Sequence, residues 1–525
     1  MSGSDGSEPV AALGKSRWTR RAGALLAGAA PVLAFPEPSL GWFAWVALVP
    51  ALLLLRGAGS AREAALLGWL TGVGFLAATQ YWLVPNLRYF FPIAVALLAL
   101  LWCGWGVLVW ILLRGHVTGA RAVAAVLGVP AGWTVLEAVR SWQWFGGPWS
   151  LLGATQWAHP TVLGLAAVGG VWLVGFAIVA ANTGLALLLV TPAGARAVGA
   201  LTVVIALAAG PLWYLSTPAP TTADRTRVAL IQPGIVAGDA RPREEELTRT
   251  VAGDVGLVVW GESSVDDDLG EHPEVLARLA ALSASVGSDL LVNVDARVGT
   301  SGGIAKTATL VDAHGIVATY RKTRLVPFGE YVPLRDRLGW ISRITAAARE
   351  NREPGHGLVV MDAGGLAIGP LVSFELTFPD LARAQARGGA RLLVYQTSTA
   401  TFQGSWAPAQ LASFGAVRAA ESGRPAVVAA LTGVSAGFDA RGNTLAWLPA
   451  DAHGAMVVEV PLFARTTIYD RGGDYLPLAC ALALAAAGAI RLLVGRGQGR
   501  RPRWTSPVRR AHDQPRGGSS SVPPR

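Results

Sequence analysis

Three short segments each end a run of apolar, strand-like residues on a group that could do chemistry. VVWGESS carries Glu262, YRKTRLVPFGEYVPL carries Lys322 and Glu330, and GPLVSFELTFPD carries Ser373 and Glu375. A carboxylate, an ammonium and a hydroxyl are the kinds of group from which nucleophilic catalysis is assembled, because a nucleophile needs a proton acceptor and a stabiliser for the negative charge that develops. Sheets of α/β proteins present their chemistry at strand ends. Each residue alone is a weak signal, since a carboxylate or lysine at a strand end is more commonly one half of a solvated ion pair. Their joint order and spacing is a specific one.

The elements that must position these groups can be read from the surrounding pattern. From Arg227 onward, short apolar runs alternate with polar, helix-like stretches. Strands are expected at 228–232, 256–260, 289–294, 308–311, 366–372, 392–395, 426–430 and 456–460, with helices at 243–252, 272–286, 379–387 and 408–422. Buried runs alternating with helices indicate an α/β sandwich. About 245 residues, 222–470, are ample for one such core.

The rest of the chain has a different solvent. Of its 525 residues 52% are hydrophobic and 15% charged, and the mean hydropathy is +0.42. A soluble protein carries about 25% charged residues, so the composition points away from a wholly soluble chain, the alternative being buried helices of a large soluble α-protein. Apolar stretches fall at 22–35, 40–55, 64–84, 90–113, 122–139, 160–190 and 197–215, and an eighth at 475–495 follows the polar region. Several approach the roughly 20 residues that cross a bilayer; the first two are short. A basic, apolar, small-residue start also fits a cleaved signal peptide, but further spans follow at once. Fifteen of the 20 Trp precede residue 216, as interfacial anchoring requires. The loop 140–159 is unusually aromatic, which fits such anchoring and equally a lipid entrance.

Charge gives the expected orientation. Residues 1–221 hold 11 Lys+Arg against 5 Asp+Glu, residues 222–470 hold 23 against 27, and residues 471–525 hold 10 against 2. The basic excess therefore sits at the ends, and no folded basic patch supports a nucleic-acid partner. Lys15, Arg17, Arg20 and Arg21 precede the first span, Arg56 and Arg62 follow the second, Arg114 and Arg121 the fourth, and Arg196 the sixth. The intervening loops carry only Arg88 and Arg140. The positive-inside rule then puts both termini in the cytoplasm and 222–470 outside. The 41 Arg against three Lys, with so much Ala and Gly, fit a GC-rich genome. The first 14 residues and the last 25 read as disordered tails.

With these motifs in order, and with RAAESGRP (418–425), LTGVSAGFDARG (431–442) and TIYDRGGDYLP (467–477) downstream, the chain resembles the apolipoprotein N-acyltransferases over about residues 22–495. The resemblance implies a multi-pass α-helical membrane protein of about eight spans. It also implies an extracytoplasmic, nitrilase-like α-β-β-α sandwich of the carbon–nitrogen hydrolase type. The implied reaction moves an acyl chain from a phospholipid to the α-amino group of the diacylglyceryl-cysteine of an apolipoprotein, through a covalent acyl-enzyme. The partners would be the phospholipid donor, the apolipoprotein and the membrane, with no cofactor and no metal. The family's Glu–Lys–Cys triad maps its glutamate to Glu262, as proton acceptor, and its lysine to Lys322, as oxyanion stabiliser. Supporting glutamates map to Glu330 and Glu375.

The nucleophile position is the departure. The family reads Cys-Tyr-Glu or Cys-Phe-Glu where this chain reads Ser373-Phe374-Glu375. The two cysteines, Cys103 and Cys480, lie in apolar spans and cannot substitute. A thiol of pKa about 8.5 is already a few per cent thiolate at neutral pH, whereas an alcohol is a far weaker acid. Serine catalysts normally draw on His or Lys as base, and no His sits in the three motifs; His314 and His356 read as surface residues. Lys322 could be the base if desolvation lowered its pKa. Three readings stand: a serine transferase, a catalytically degenerate lipid- or lipoprotein-binding paralogue, and a membrane-anchored amidase. Two further departures are the missing tryptophan in IQPGIVAGDA (231–240) and TFQGSW (401–406) in place of a Trp-Phe-Gly segment. Residues 331–357, with Leu334, Leu338, Ile341 and Ile344 beside several Arg, are spaced for an amphipathic helix, either a lipid-admitting lid or a packed surface helix.

Overall fold

A computed structural model describes residues 16–217, 224–251, 254–297, 303–343, 349–463 and 465–498. The expected tails lie outside the described residues. The chain divides into two units, Met1–Ala481, which holds everything discussed below, and Leu482–Arg525, whose described part is the remainder of a terminal helix.

The N-terminal apolar stretches are helical. They form α1 (Arg17–Ala29), α2 (Val49–Arg56), α3 (Ala61–Thr79), α4 (Phe90–Leu98), α5 (Leu101–Leu113), α6 (Gly119–Arg140), α7 (Ala166–Val190) and α8 (Ala193–Ser216). Four helical segments here, Phe90–Leu113, Gly119–Arg140, Ala166–Val190 and Ala193–Ser216, are long and apolar enough to cross a membrane, and so is Tyr475–Leu493. The first two stretches are shorter because proline interrupts them. The first ends in a 3-10 turn, Ala30–Ala34, carrying Pro31, and the second breaks at Leu48 before Pro50. The backbone groups freed there are satisfied from α7: Asn182 accepts the Leu48 N–H (2.9 Å) and donates to the Ala44 carbonyl (2.9 Å). A break in an apolar bundle persists only where such partners exist.

The polar region builds two six-stranded sheets. The strands are β1 (Asp224–Gln232), β2 (Leu257–Val259), β3 (Asp289–Arg297), β4 (Ile304–Asp312), β5 (Gly315–Arg321), β6 (Met361–Ala363), β7 (Leu366–Val372), β8 (Leu392–Thr397), β9 (Ala426–Ala430), β10 (Ser435–Phe438), β11 (Thr444–Leu448) and β12 (Gly454–Leu462). One sheet runs β12-β1-β2-β3-β4-β5 and the other β11-β10-β9-β8-β7-β6. Helices α9 (Arg241–Arg249) and α10 (Pro273–Val286) pack on the first sheet; α11 (Pro379–Arg387) and α12 (Ala407–Ser422) pack on the second. This is the expected α-β-β-α sandwich, with all eight expected strands and all four expected helices. The additional strands β5, β6, β10 and β11 are edge or very short pieces. β5 and β11 are largely exposed or half-buried, so no apolar run marks them.

The two sheets meet through polar as well as apolar contacts. Gln396 on β8 donates to the Trp260 and Leu291 carbonyls (3.0 and 3.1 Å) and accepts from Asn293 on β3 (3.3 Å). These fully buried amides lock the stacking of the sheets beneath the strand ends that carry the chemistry.

The expected amphipathic helix over 331–357 is not formed. The described part contains only a turn of helix, Arg335–Leu338, and a 3-10 turn, Gly339–Arg343; residues 344–348 lie outside the described residues. Leu334 takes a left-handed φ of 49°, and Arg335 reaches back to Asn351 (2.7 Å) and the Arg349 carbonyl (2.9 Å). The segment therefore doubles back on itself. Its exposed Trp340 meets Phe90 at the start of α4, ring centroids 6.0 Å apart.

The sandwich and the helices share one continuous apolar core and a polar joint. Helix α7 bends at Gly169–Gly170, where Gly170 has φ 70° and the Tyr469 ring occupies the space a Cβ would need. The bend frees the Val171 N–H, which donates to Glu421 of α12 (2.7 Å). Glu421 pairs with Arg418 (3.1 Å), both fully buried. Trp172 and Tyr469 both donate to Asp474 (2.7 and 2.6 Å), just before the terminal helix α13 (Tyr475–Gln498).

Burial raises the Glu421 carboxyl to about 7, against the lowering by Arg418 and the Val171 N–H. A carboxyl with a raised folded-state pKa contributes stability below its unfolded value, about 4.3. That contribution is lost as pH rises through about 7. The thermal midpoint of the detergent-solubilised protein should therefore fall between about pH 4.5 and 7, and Glu421→Gln should flatten this dependence. A parallel decline in the variant would remove Glu421 as its source.

Candidate active site

The three sequence motifs converge. Glu262 lies in the turn after β2, Lys322 directly follows β5, and Ser373 directly follows β7. Glu262 and Lys322 are buried, and Ser373 is partly accessible. Lys322 Nζ donates to Glu330 Oε1 (2.8 Å) and lies 3.5 Å from Glu262 Oε1. Glu262 Oε2 accepts the Ser398 N–H (3.1 Å), and the Ser373 side chain is among the groups that favour the ionised form of the same carboxylate.

Backbone placement explains the convergence. The Glu262 N–H donates to the Thr397 carbonyl at the end of β8 (3.1 Å), so this turn is bound to the opposite sheet. At Gly261 a Cβ would collide with the backbone nitrogen of Leu431; only glycine permits that approach. Ser373 has a left-handed φ of 54°, uncommon for a non-glycine residue and often found where a side chain is held for function. The turn is held by Glu375, whose Oε2 accepts the Val372 N–H (2.9 Å).

Glu375 does more than close that turn. Its Oε1 accepts from the Tyr320 hydroxyl (2.8 Å), the Thr323 N–H and hydroxyl (both 2.8 Å) and the Arg324 N–H (3.0 Å). One buried carboxylate thereby binds the residues on either side of Lys322 to the turn bearing Ser373. Glu330 acts similarly on the other side: Oε1 takes Lys322, and Oε2 takes the Val326 N–H (2.8 Å). All five residues picked from sequence thus belong to one cluster.

Sequence reasoning missed four residues of that cluster. Lys306 on β4 donates to Glu262 Oε1 (2.7 Å) and to Ser263 Oγ (3.1 Å), and lies 3.6 Å from Asp295. Ser263 donates to Asp295 (2.9 Å), which also pairs with Arg352. A signal for Lys306 existed. It is one of only three lysines among 44 basic residues, but β4 was expected to start at 308, after it.

Electrostatics follow from these contacts. Burial alone would raise the Glu262 carboxyl, but the Lys306 and Lys322 ammoniums, with hydrogen bonds from Lys306 and Ser373, hold it at about 2. Burial likewise works against the Lys306 ammonium, and Glu262, Glu330 and Asp295 outweigh it, so its pKa is raised. The cluster is a carboxylate held ionised beside a hydroxyl, with an ammonium on its far side. Among the described residues no group of three or more His, Cys, Asp or Glu is placed to hold a metal ion.

The membrane-type helices reach this region. Phe374, beside Ser373, packs on Gly147 of the aromatic loop, and Gln143 of that loop donates to the Leu325 carbonyl (3.2 Å). Trp82 meets Phe402 (5.0 Å between centroids) and Tyr81 meets Trp406 (5.6 Å).

Residues 27–184 match the apolipoprotein N-acyltransferase N-terminal domain, and residues 227–469 match the carbon-nitrogen hydrolase domain. The apolipoprotein N-acyltransferase of Geobacter metallireducens is 30% identical over 496 residues, 89% of this chain and 94% of the relative. The chain belongs to the apolipoprotein N-acyltransferase family. A second member, from Gloeobacter violaceus, is 31% identical over 91% of this chain and 96% of its own. Among solved structures, an amidase from Nesterenkonia sp. AN1 is 21% identical with a TM-score of 0.37, covering 50% of this chain and 95% of the amidase. Within this apolipoprotein N-acyltransferase family member, Cys103 and Cys480 lie on α5 and α13, helices that carry none of Glu262, Lys322 and Ser373.

Two substitutions test the scaffold. Gly261→Ala should push the Glu262 turn off β8 and lower activity by roughly 100-fold, since ångström-scale misplacement costs that much. Glu375→Gln presents an amide N–H to at least one of five donors, and should cost about 1–3 kcal/mol of stability. Unchanged turnover in the first, or an unchanged denaturation midpoint in the second, would contradict these roles.

Proposed function

We propose that this protein transfers an acyl chain from a phospholipid to the α-amino group of the diacylglyceryl-cysteine of an apolipoprotein, through an oxygen ester on Ser373. The observation that carries the reading is the convergence of Glu262, Lys322 and Ser373 in one buried cluster beside the membrane-type helices. The sandwich lies on the extracytoplasmic side in this reading, supported by the alternation of basic residues between apolar stretches.

The steps balance with the groups present. The Ser373 hydroxyl attacks the phospholipid ester carbonyl while its proton passes to Glu262, and the Lys322 ammonium offsets the charge on the tetrahedral oxygen. Collapse breaks the carbonyl–alkoxide bond, and Glu262 returns the proton to the departing lysophospholipid. The apolipoprotein amine then attacks the Ser373 ester and gives its proton to Glu262. Collapse forms the amide and restores the Ser373 hydroxyl with that proton. Glu262, held near 2, is a weak base toward an alcohol. Proton transfer must therefore accompany C–O bond formation rather than precede it. Removal of the leaving alkoxide is the step such a strong conjugate acid assists.

The same low proton affinity favours a second reading, in which the site retains binding and has lost turnover. One comparison separates them. Purified protein given phospholipid and a diacylated lipopeptide should yield triacylated product by mass spectrometry. Ser373→Ala should abolish the product, and Ser373→Cys should raise it by roughly tenfold or more, since the thiol is the better nucleophile. No product from the natural chain, with product from Ser373→Cys, would establish the binding reading.

A further inference from the structure

The three lysines of the chain are Lys15, Lys306 and Lys322, and two of them share one buried carboxylate. Lys306 stands directly opposite Asp295 in the β3–β4 register, and its carbonyl accepts the Lys322 N–H (2.9 Å). The two ammoniums are thus delivered from adjacent backbone positions. The Lys306 side chain is 12% exposed and over-determined, with Glu262 at 2.7 Å, Ser263 at 3.1 Å, Asp295 at 3.6 Å and Glu330 at 3.9 Å.

Counting charges shows what this arrangement changes. Glu262, Glu330 and Asp295 face Lys306, Lys322 and Arg352. Without Lys306, the Lys322 ammonium would be the nearest counter-ion of both Glu262 and Glu330. With Lys306 present, Glu262 has its own close partner, and Lys322 binds Glu330 while standing looser, at 3.5 Å, from Glu262. Lys322 is then free to turn toward an oxyanion without leaving Glu262 buried and unpaired, a state that buried charges avoid.

We infer that Lys306 is a positioning residue for the general base: it fixes Glu262 in place and ionised, and releases Lys322 for the oxyanion, so that an alcohol can serve at position 373. The dependence on the nucleophile has a physical reason. A thiol is partly ionised and intrinsically reactive. An alcohol must keep its base within hydrogen-bond reach throughout the attack, a contribution typically of 10²–10⁴-fold. Loss of the group that holds the base should therefore harm the oxygen nucleophile more than the sulfur one.

The test uses the full chain in detergent or liposomes, with Lys306→Met, Lys306→Gln and Lys306→Arg made in the natural and the Ser373→Cys backgrounds. Acyl-enzyme formation from phospholipid is read by intact mass spectrometry, a measurement that rests on the acyl-transfer reading. Protonation of Glu262 is read by infrared difference spectra against Glu262→Gln, which needs no turnover. Lys306→Met and Lys306→Gln should slow acylation by about 100-fold with serine but less than about tenfold with cysteine, and Lys306→Arg should recover most of the loss. Glu262 should protonate at a pH at least about one unit higher in Lys306→Met than in the natural chain, since burial then meets one ammonium fewer. Equal losses in both backgrounds, or an unmoved Glu262 titration in both neutral variants, would overturn the assignment. If neither nucleophile is acylated, the acyl-transfer reading fails, and the infrared titration still decides the role of Lys306.

Discussion

The site depends on one carboxylate that takes no proton in the reaction. Glu375 accepts five hydrogen bonds, from Val372 on one sheet and from Tyr320, Thr323 and Arg324 at the end of the other. In a low-dielectric interior such charge-assisted bonds are strong and directional. They join the turn that exposes Ser373 to the segment that carries Lys322, two places 51 residues apart in sequence. Glu262 completes the arrangement from a third direction, tied by its own N–H to the end of β8. The Ser373 hydroxyl, the Lys322 ammonium and the Glu262 carboxylate are therefore placed by backbone contacts of the sandwich, as preorganised chemistry requires.

The same logic extends to the membrane side. Pro50 and Gly170 interrupt helices that an uninterrupted apolar pattern would run straight through, and each interruption is answered by a buried side chain from elsewhere. Asn182 serves the Leu48 break, and Glu421 serves the bend of α7. Because Glu421 belongs to α12, which lies under the second sheet, the bend and the sandwich are one mechanical unit with a shared core. A lipid-facing half that merely anchored the sandwich would need no such joint. On the same side of the sandwich the aromatic loop packs on Phe374 through Gly147, and Trp82 packs on Phe402.

Much of this was legible in the residues. Strands buried on both faces announce themselves as apolar runs, and so β1, β2, β3, β7, β8 and β9 could be placed and with them Glu262, Ser373 and Glu375. Edge strands do not: β5 is mostly exposed or half-buried, with only Tyr320 buried, and Lys322 was found through its motif, not its strand. Lys306 was missed for a related reason. It precedes the apolar part of β4, where a lone lysine resembles any solvated strand residue, and only the register opposite Asp295 reveals that it points into the cluster. The segment 331–357 misled in the opposite direction. Its helical spacing is real, but the left-handed Leu334 and the return contacts of Arg335 to Asn351 override local periodicity, as tertiary contacts commonly do.

The exchange of sulfur for oxygen at position 373 is best understood as a problem of where a proton can rest. A thiol can give up its proton before attack; an alcohol gives it up only as the new bond forms. A base gains from proton affinity in both tasks; the second also demands constant geometry, because the proton must pass on to an alkoxide leaving group just as basic as the nucleophile. Glu262, pinned by two ammoniums and the Ser398 N–H, supplies that geometry, while its low proton affinity works against taking a proton from an alcohol. The oxygen ester it would help form is also close in free energy to the donor ester, so neither half of the reaction has to climb to a thioester.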